Sequence, residues 1–190
     1  MTGFYAMLSR MKYIDRWGLM NNTRTENISE HSLETAILAH ALATIANTRL
    51  GKTINADRVA VIALFHDAGE IITGDMPTPI KYYNPQIKNA YKAVEKVAED
   101  KLIDMLPDDL RDVYRPLISN DDEEIERYIK AADKLSALIK CIEEVRMGNK
   151  EFLKAKESIE KSISYMDLEA LDIFVAECLP AYELTLDELG

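Results

Sequence analysis

The chain has 190 residues, 47% of them hydrophobic and 29% charged, with a formal net charge of -10. A single core grows up to about 250 residues, so this length predicts one domain over residues 1–190 of ordinary globular composition. A charge this negative excludes general affinity for nucleic acid polymers, and the longest apolar run, Val59 to Phe65, falls far short of the roughly 20 residues a membrane span needs.

The opening MTGFYAMLSRMKYIDRW has no basic cluster leading into an apolar stretch and no small-residue cleavage site, which predicts a cytoplasmic protein without a signal peptide. Cys141 and Cys178 lack CxxC spacing and lie in apolar helical sequence, as reduced thiols do. Only 7 Gly and 6 Pro punctuate the chain, and no alternating β-branched window occurs. The expected fold is therefore all-α.

In chain order, the first helix is expected over residues 4–16, ending at Arg16-Trp17. The second, over 28–49, opens on Asn27-Ile-Ser-Glu30, a capping box, and closes at Gly51. At 100° per residue Ile28, His31, Thr35, Leu38, Leu42 and Ile45 form one stripe, so His31 points inward. His40 lies about 180° round the same helix, beside Leu33 and Ile37, and cannot share a site with His31. A core or interface position is expected for it.

The third helix, over 55–72, is capped by Asn55 or Asp57 and carries ALFHDAGE. A carboxylate after an apolar run costs several kcal/mol unless a donor, a cation or a metal compensates it, so Asp67 requires a partner. On this helix His66 and Glu70 stack at i and i+4, with Asp67 one step round and Gly69 leaving room beside them. Next comes TGDMPTPIK, a defined loop with Asp75, Thr78 and Lys81. Lys81 and a donating Thr78 are candidate phosphate partners, against the plainer reading of a solvated lysine.

Helices over 84–106 and 108–118 follow, the latter restarting after Pro107, and then one over 122–147 that ends at Gly148-Asn149. Ile125, Tyr128, Ile129, Ala132, Leu135, Leu138, Ile139, Ile142 and Val145 make its buried stripe. Asp133 sits at the margin of that stripe, away from Glu126 and Lys130 on the solvated back. Taken alone, it reads as a boundary charge paired with Lys130 or Lys134. Helices over 150–163 and 167–185 complete the chain.

Imidazole nitrogens mixed with carboxylate oxygens suit one divalent transition ion, Mn, Fe, Co, Ni or Zn, better than Ca or Mg. The order His31, His66-Asp67, Asp133, each on its own helix, resembles the H…HD…D signature of HD-domain metal-dependent phosphohydrolases. The segments LSRMKYIDRWGLMNNTRTENISEHSLETAILAHALA, HDAGEIITGDMPTPIKYYN and LTLDEL resemble the bacterial HD-domain 5'-deoxynucleotidases over nearly the whole chain.

This resemblance implies an all-α HD-domain helical bundle with the metal site between central helices, and a second copy as partner in a homodimer. It implies His31, His66, Asp67 and Asp133 as metal ligands, Glu70 and Asp75 as catalytic acids or bases, and Arg16-Trp17 as the pair that holds the nucleotide and favours deoxyribose. Gly69 departs from a Ser familiar there, and Ala132 from a Gln. The implied substrate is a deoxyribonucleoside 5'-monophosphate. In such a site an ion activates water and neutralises phosphoryl charge, while Arg16 forks onto phosphate to offset the surrounding carboxylates. Two rival readings remain: a hydrolase of triphosphates, cyclic nucleotides or alarmones on the same core, and a non-catalytic module binding a metal or nucleotide.

Overall fold

The structure, a computed structural model, describes residues 2–81 and 83–190, with the side chain of Thr78 outside the described ones. Its α-helices are α1 (Phe4–Leu8), α2 (Ile28–Leu50), α3 (Ala56–Phe65), α4 (Glu70–Thr73), α5 (Thr78–Lys81), α6 (Pro85–Asp104), α7 (Asp108–Ile118), α8 (Glu123–Arg146), α9 (Leu153–Ile163) and α10 (Glu169–Glu177). Among the described residues the only β pairing is one antiparallel bridge, Asp15 with Asn27.

The caps follow the sequence closely. Asn27 accepts from the Glu30 amide while Glu30 reaches back to the Asn27 amide, and Asn55, Asn84 and Asp122 cap α3, α6 and α8 by a side-chain oxygen that accepts from first-turn amides. Gly51 closes α2 at φ +66°, a conformation that costs a side-chain-bearing residue about 1 kcal/mol or more.

Three expected helices are shorter than the sequence suggests. The first stops at Leu8 and tightens into a 3-10 turn over Ser9–Tyr13; Ile14 is then extended, and its carbonyl accepts from Ile28 while the Arg16 amide donates to Glu26. The last stops at Glu177, before Pro180, and continues as a 3-10 turn over Leu179–Glu183. Most consequential is the end of α3 at Phe65. Nδ1 of His66 captures the Ala63 carbonyl at 2.7 Å, the acceptor that a continuing α-helix would give to the Asp67 amide. Residues 66–71 instead bond three back: Ala68 to Phe65, Glu70 to Asp67 and Ile71 to Ala68. Glu70 therefore aligns with Asp67, not above His66 as an unbroken α-helix would place it.

Helix α2 is central, packed on α3, α8 and α10. Leu38, Leu42, Ile62, Leu135 and Leu138 belong to the main buried cluster, and Phe4, Ala68, Leu102, Ile103, Leu106 and Ile118 form a second. Ala68 is wholly buried in that second cluster, which anchors the turn carrying His66 and Asp67 between the two cores. Met11 and Phe174 are buried. The α2 face bearing His40 is open: Leu33 and Ile37 are 57% and 61% exposed, and the half-exposed His40 approaches Asp57 at 3.4 Å. A core position for His40 is thereby excluded. No described helix is long and apolar enough to cross a membrane.

Candidate metal and phosphate site

His31 comes from the first turn of α2, His66 and Asp67 from the turn after α3, and Asp133 from the middle of α8. Nε2 of His31 lies 3.4 Å from Asp67 Oδ2 and 3.3 Å from Asp133 Oδ1, and Nε2 of His66 lies 3.2 Å from Asp67 Oδ2. The two rings stand 5.2 Å apart. One ligand atom each from His31, His66 and Asp133 falls within 4.8 Å of the others, with Asp67 bridging both imidazoles.

The donor set fits a divalent ion. A carbonyl oxygen only accepts, so the Ala63 contact keeps a proton on Nδ1 and leaves Nε2, facing the carboxylates, as the nitrogen that can serve an ion. That buried Nε2 has no hydrogen-bond partner of proper geometry, despite the nearby Asp67 oxygen. Burial pushes the His66 pKa down, but the negative charges of Asp67 and Asp133 beside its ring overcome this and raise it to about 9. Burial likewise pushes both aspartates up, and the imidazoles outweigh it, holding Asp67 and Asp133 below the usual carboxylate range. The cluster thus calls for positive charge, which a divalent cation supplies.

Glu70 follows directly in α4, 7% exposed, and its Oε2 has no partner. Burial first, then the charges of Asp67 and Asp75, raise its pKa to about 9 against the pull of Lys81 and Arg16. Burial and Asp67 also raise Asp75, while Arg16 and the Trp17 amide pull it down. Gly74, at φ +73°, turns the chain into Asp75, and the Tyr91 hydroxyl pins the Gly74 carbonyl. Glu70 lines a cavity of about 390 Å³ shared with His66, Asp67 and Asp133, which runs toward Ser119 and Asn120 at the end of α7.

Arg16 approaches from the other side, its guanidinium 3.0 Å from Glu26 and 3.9 Å from Asp133. The same Glu26 oxygen accepts from the Trp17 indole at 2.9 Å, and the indole leans on Phe152 at 5.3 Å. Trp17 holds φ +60°, a strained conformation for a bulky side chain that local structure must enforce. Glu26, 9% exposed, is thus a double anchor that sequence reasoning passed over, because nothing in TRTENISE distinguishes it from a surface acid.

Lys81 points elsewhere than a free phosphate partner would: its ammonium bonds Glu95 at 2.9 Å and lies over the Tyr91 ring. Thr78, as a donor, lies outside the described side chains.

The missed polar residues of α8 did carry a signal. Asp133, Ser136, Lys140 and Glu144 recur at three-and-four spacing on one face, and the last three are buried. Ser136 bonds His31 Nδ1 at 3.0 Å and Glu34 at 2.6 Å.

Comparison with known proteins gives the family and the fold. A family model described as 5'-deoxynucleotidase YfbR-like matches residues 3–182. A 5'-deoxynucleotidase of Citrobacter koseri is 52% identical over 189 residues, 98% of this chain and 95% of that protein, and 5'-deoxynucleotidase YfbR of Salmonella newport is 51% identical over the same shares. Among solved structures, an HD-domain phosphohydrolase from Listeria innocua superposes with a TM-score of 0.83 at 23% identity, covering 94% of this chain and 87% of that one. The cyanophage S-2L HD phosphohydrolase DatZ, solved with dA and one catalytic zinc ion, superposes at 0.67 with 19% identity, over 95% and 96%. Both share the fold.

Proposed function

This chain belongs to the YfbR-like 5'-deoxynucleotidase family, HD-domain phosphohydrolases of all-α fold, and from that premise we propose how its residues divide the work. The reaction converts a deoxyribonucleoside 5'-monophosphate and water to deoxyribonucleoside and phosphate. In the proposal His31, His66, Asp67 and Asp133 hold one divalent transition ion, of the Mn, Fe, Co, Ni or Zn class. When bound, the ion lowers the pKa of water and draws charge from the phosphoryl oxygens.

The rest falls to the chain itself. Glu70 lines the cavity beside the ligands and, ionised once a cation offsets the charges of Asp67 and Asp75, would take the proton of the attacking water; its unpartnered, buried Oε2 is the observation that carries this reading. Asp75, on the loop facing Arg16, holds the sugar side or returns a proton to the departing 5'-oxygen. Arg16, fixed by Glu26, forks onto the phosphate and offsets the carboxylates around it. Trp17, locked by Glu26 and Phe152, walls the sugar. Thr78 and Lys81 are proposed as phosphate partners on the same loop from their residue types in TGDMPTPIK.

The test is a released-phosphate panel of deoxyribo- and ribonucleoside monophosphates with Mn, Co, Zn and Mg in turn, beside metal analysis. Preference for triphosphates or cyclic nucleotides would replace the reading, and tight metal binding without turnover in any ion would favour a non-catalytic module.

We further propose that it acts as one domain in the cytoplasm and as a homodimer, with a second copy covering the exposed Leu33 and Ile37 of α2 and Val61 and Leu64 of α3. Light scattering on the wild type and on Leu33→Glu/Ile37→Glu tests this. A monomeric wild type would refute it.

A further inference from the structure

We propose that Ser136 and Glu34 are positioning residues that fix the tautomer of His31 and aim its ring at the ion, an inference resting on the reading of His31 as a metal ligand. Ser136 is wholly buried on α8, its Oγ 2.6 Å from Glu34 Oε2 and 3.0 Å from His31 Nδ1. A hydroxyl has one proton, and a carboxylate accepts only. The Ser136 proton therefore goes to Glu34, and the face turned to His31 is a lone pair. Nδ1 of His31 must then carry hydrogen, which leaves Nε2, facing Asp67 and Asp133, as the nitrogen whose lone pair an ion would take.

His66 reaches the same state by a different device, the Ala63 carbonyl on its Nδ1. Two histidines, one on α2 and one in the turn after α3, thus have Nδ1 tied down and Nε2 turned to one point. A histidine buried for packing alone needs no such agreement. Outer partners of this kind fix ring orientation and ligand basicity, and their loss weakens metal binding by about 10- to 100-fold. The Thr35 hydroxyl, 3.4 Å from Nδ1 and 3.5 Å from Nε2, is too distant to set the proton by itself.

The charge on Glu34 is not what the relay needs; an acceptor is. Glu34→Gln offers its amide oxygen to Ser136 and leaves the arrangement standing. Glu34→Leu removes the acceptor, so Ser136 can turn its proton to Nδ1 and drive the His31 hydrogen to Nε2, where it blocks coordination.

The experiment measures Co2+ dissociation constants of the full-length wild type, Ser136→Ala, Glu34→Leu and Glu34→Gln, with folding checked by circular dichroism. Ser136→Ala and Glu34→Leu are expected to bind Co2+ about 10- to 100-fold more weakly, and Glu34→Gln within about threefold of wild type. Turnover lost at limiting Co2+ should return as Co2+ is raised. If Ser136→Ala does not fold, the partly exposed Glu34 pair carries the comparison alone. Wild-type affinity in Glu34→Leu, or a Glu34→Gln as weak as Glu34→Leu, overturns the proposal. A wild type that binds no Co2+ defeats the metal reading itself, which is a separate outcome.

Discussion

Helix α8 carries two buried charged clusters on one face, and they are built on opposite rules. Around Glu144, 1% exposed, every charge is answered: its oxygens accept from the Thr23 amide and hydroxyl, the Arg24 amide, Asn149 and Lys140, and Lys140 also donates to the Arg24 carbonyl. Around Asp133, two carboxylates crowd two imidazoles, while His66 Nε2 and Glu70 Oε2 have no partner. A buried charge left unmatched costs several kcal/mol, so saturation marks a strut and its lack marks a ligand site. The strut ties α8 to the loop that follows Arg16 and Trp17; the other cluster is the proposed ligand site.

The widest gap between the two should appear on cutting the ligand set. Asp67→Ala or His66→Ala is expected to lower phosphate release by about 10⁴-fold or more, because the ion's several kcal/mol of charge stabilisation goes with it. Ion content measured on the same samples should fall in parallel. Cutting the strut should instead unfold the protein: Glu144→Ala leaves a buried lysine unpaired, at a cost of about 3–5 kcal/mol seen in chemical denaturation. Its pH dependence has a definite sign. The donors around Glu144, chiefly Lys140, outweigh burial and hold its pKa at about 2, below the ordinary 4.5, so this stability is present above pH 4.5 and drains away as pH falls toward 2. The difference between wild type and variant should close over that window. Turnover per folded molecule that drops as far as in Asp67→Ala would erase the distinction between strut and site.

Glu70 sharpens the contrast with an effect of intermediate size. Glu70→Gln is expected to keep the ion and lose about 10²-fold or more in kcat. Here the linkage runs the other way. Burial and two neighbouring carboxylates raise the folded pKa to about 9 from 4.5, so in ion-free protein this carboxyl costs stability progressively as pH rises through that interval. The ion-free variant should therefore melt a few degrees higher than wild type at pH 8 and at the same temperature at pH 4. Equal melting at both values would show that Glu70 is not held in a costly state.

The same two rules explain how much of the molecule was legible in the sequence. His31, His66 and Asp67 stand out because a polar residue on an apolar stripe or at its end demands a reason, whereas Asp133, at the margin of its stripe, reads alone as a boundary charge and joins the set only through the family resemblance. The caps at Asn27, Asn55 and Gly51 were equally plain, since one side chain or one φ decides each. The break at His66 was not. No proline marks it, and its cause is a side-chain nitrogen taking a carbonyl from its own backbone, which no periodicity records. Glu26, Glu34, Ser136 and Glu144 were missed for another reason. Apart from Lys140 beside Glu144, their partners lie in irregular backbone or more than 100 residues away, so each reads locally as an amphipathic boundary.

Lys81 should show the smallest effect, and it tests where saturation ends. Its ammonium is already matched by Glu95 at 2.9 Å and by the Tyr91 ring, in a pair about a quarter exposed on each side. Such a pair is worth at most about 1 kcal/mol, so Lys81→Met should lower kcat/KM by no more than about fivefold and barely move stability. Its charge also draws on Glu70, which places that small loss in kcat. If KM for the nucleotide instead rises by about 10²-fold at unchanged kcat, the ammonium leaves Glu95 for the phosphate when substrate arrives. Lys81 would then belong with the unsaturated cluster, and the boundary between strut and site would run through α6 instead of beside it.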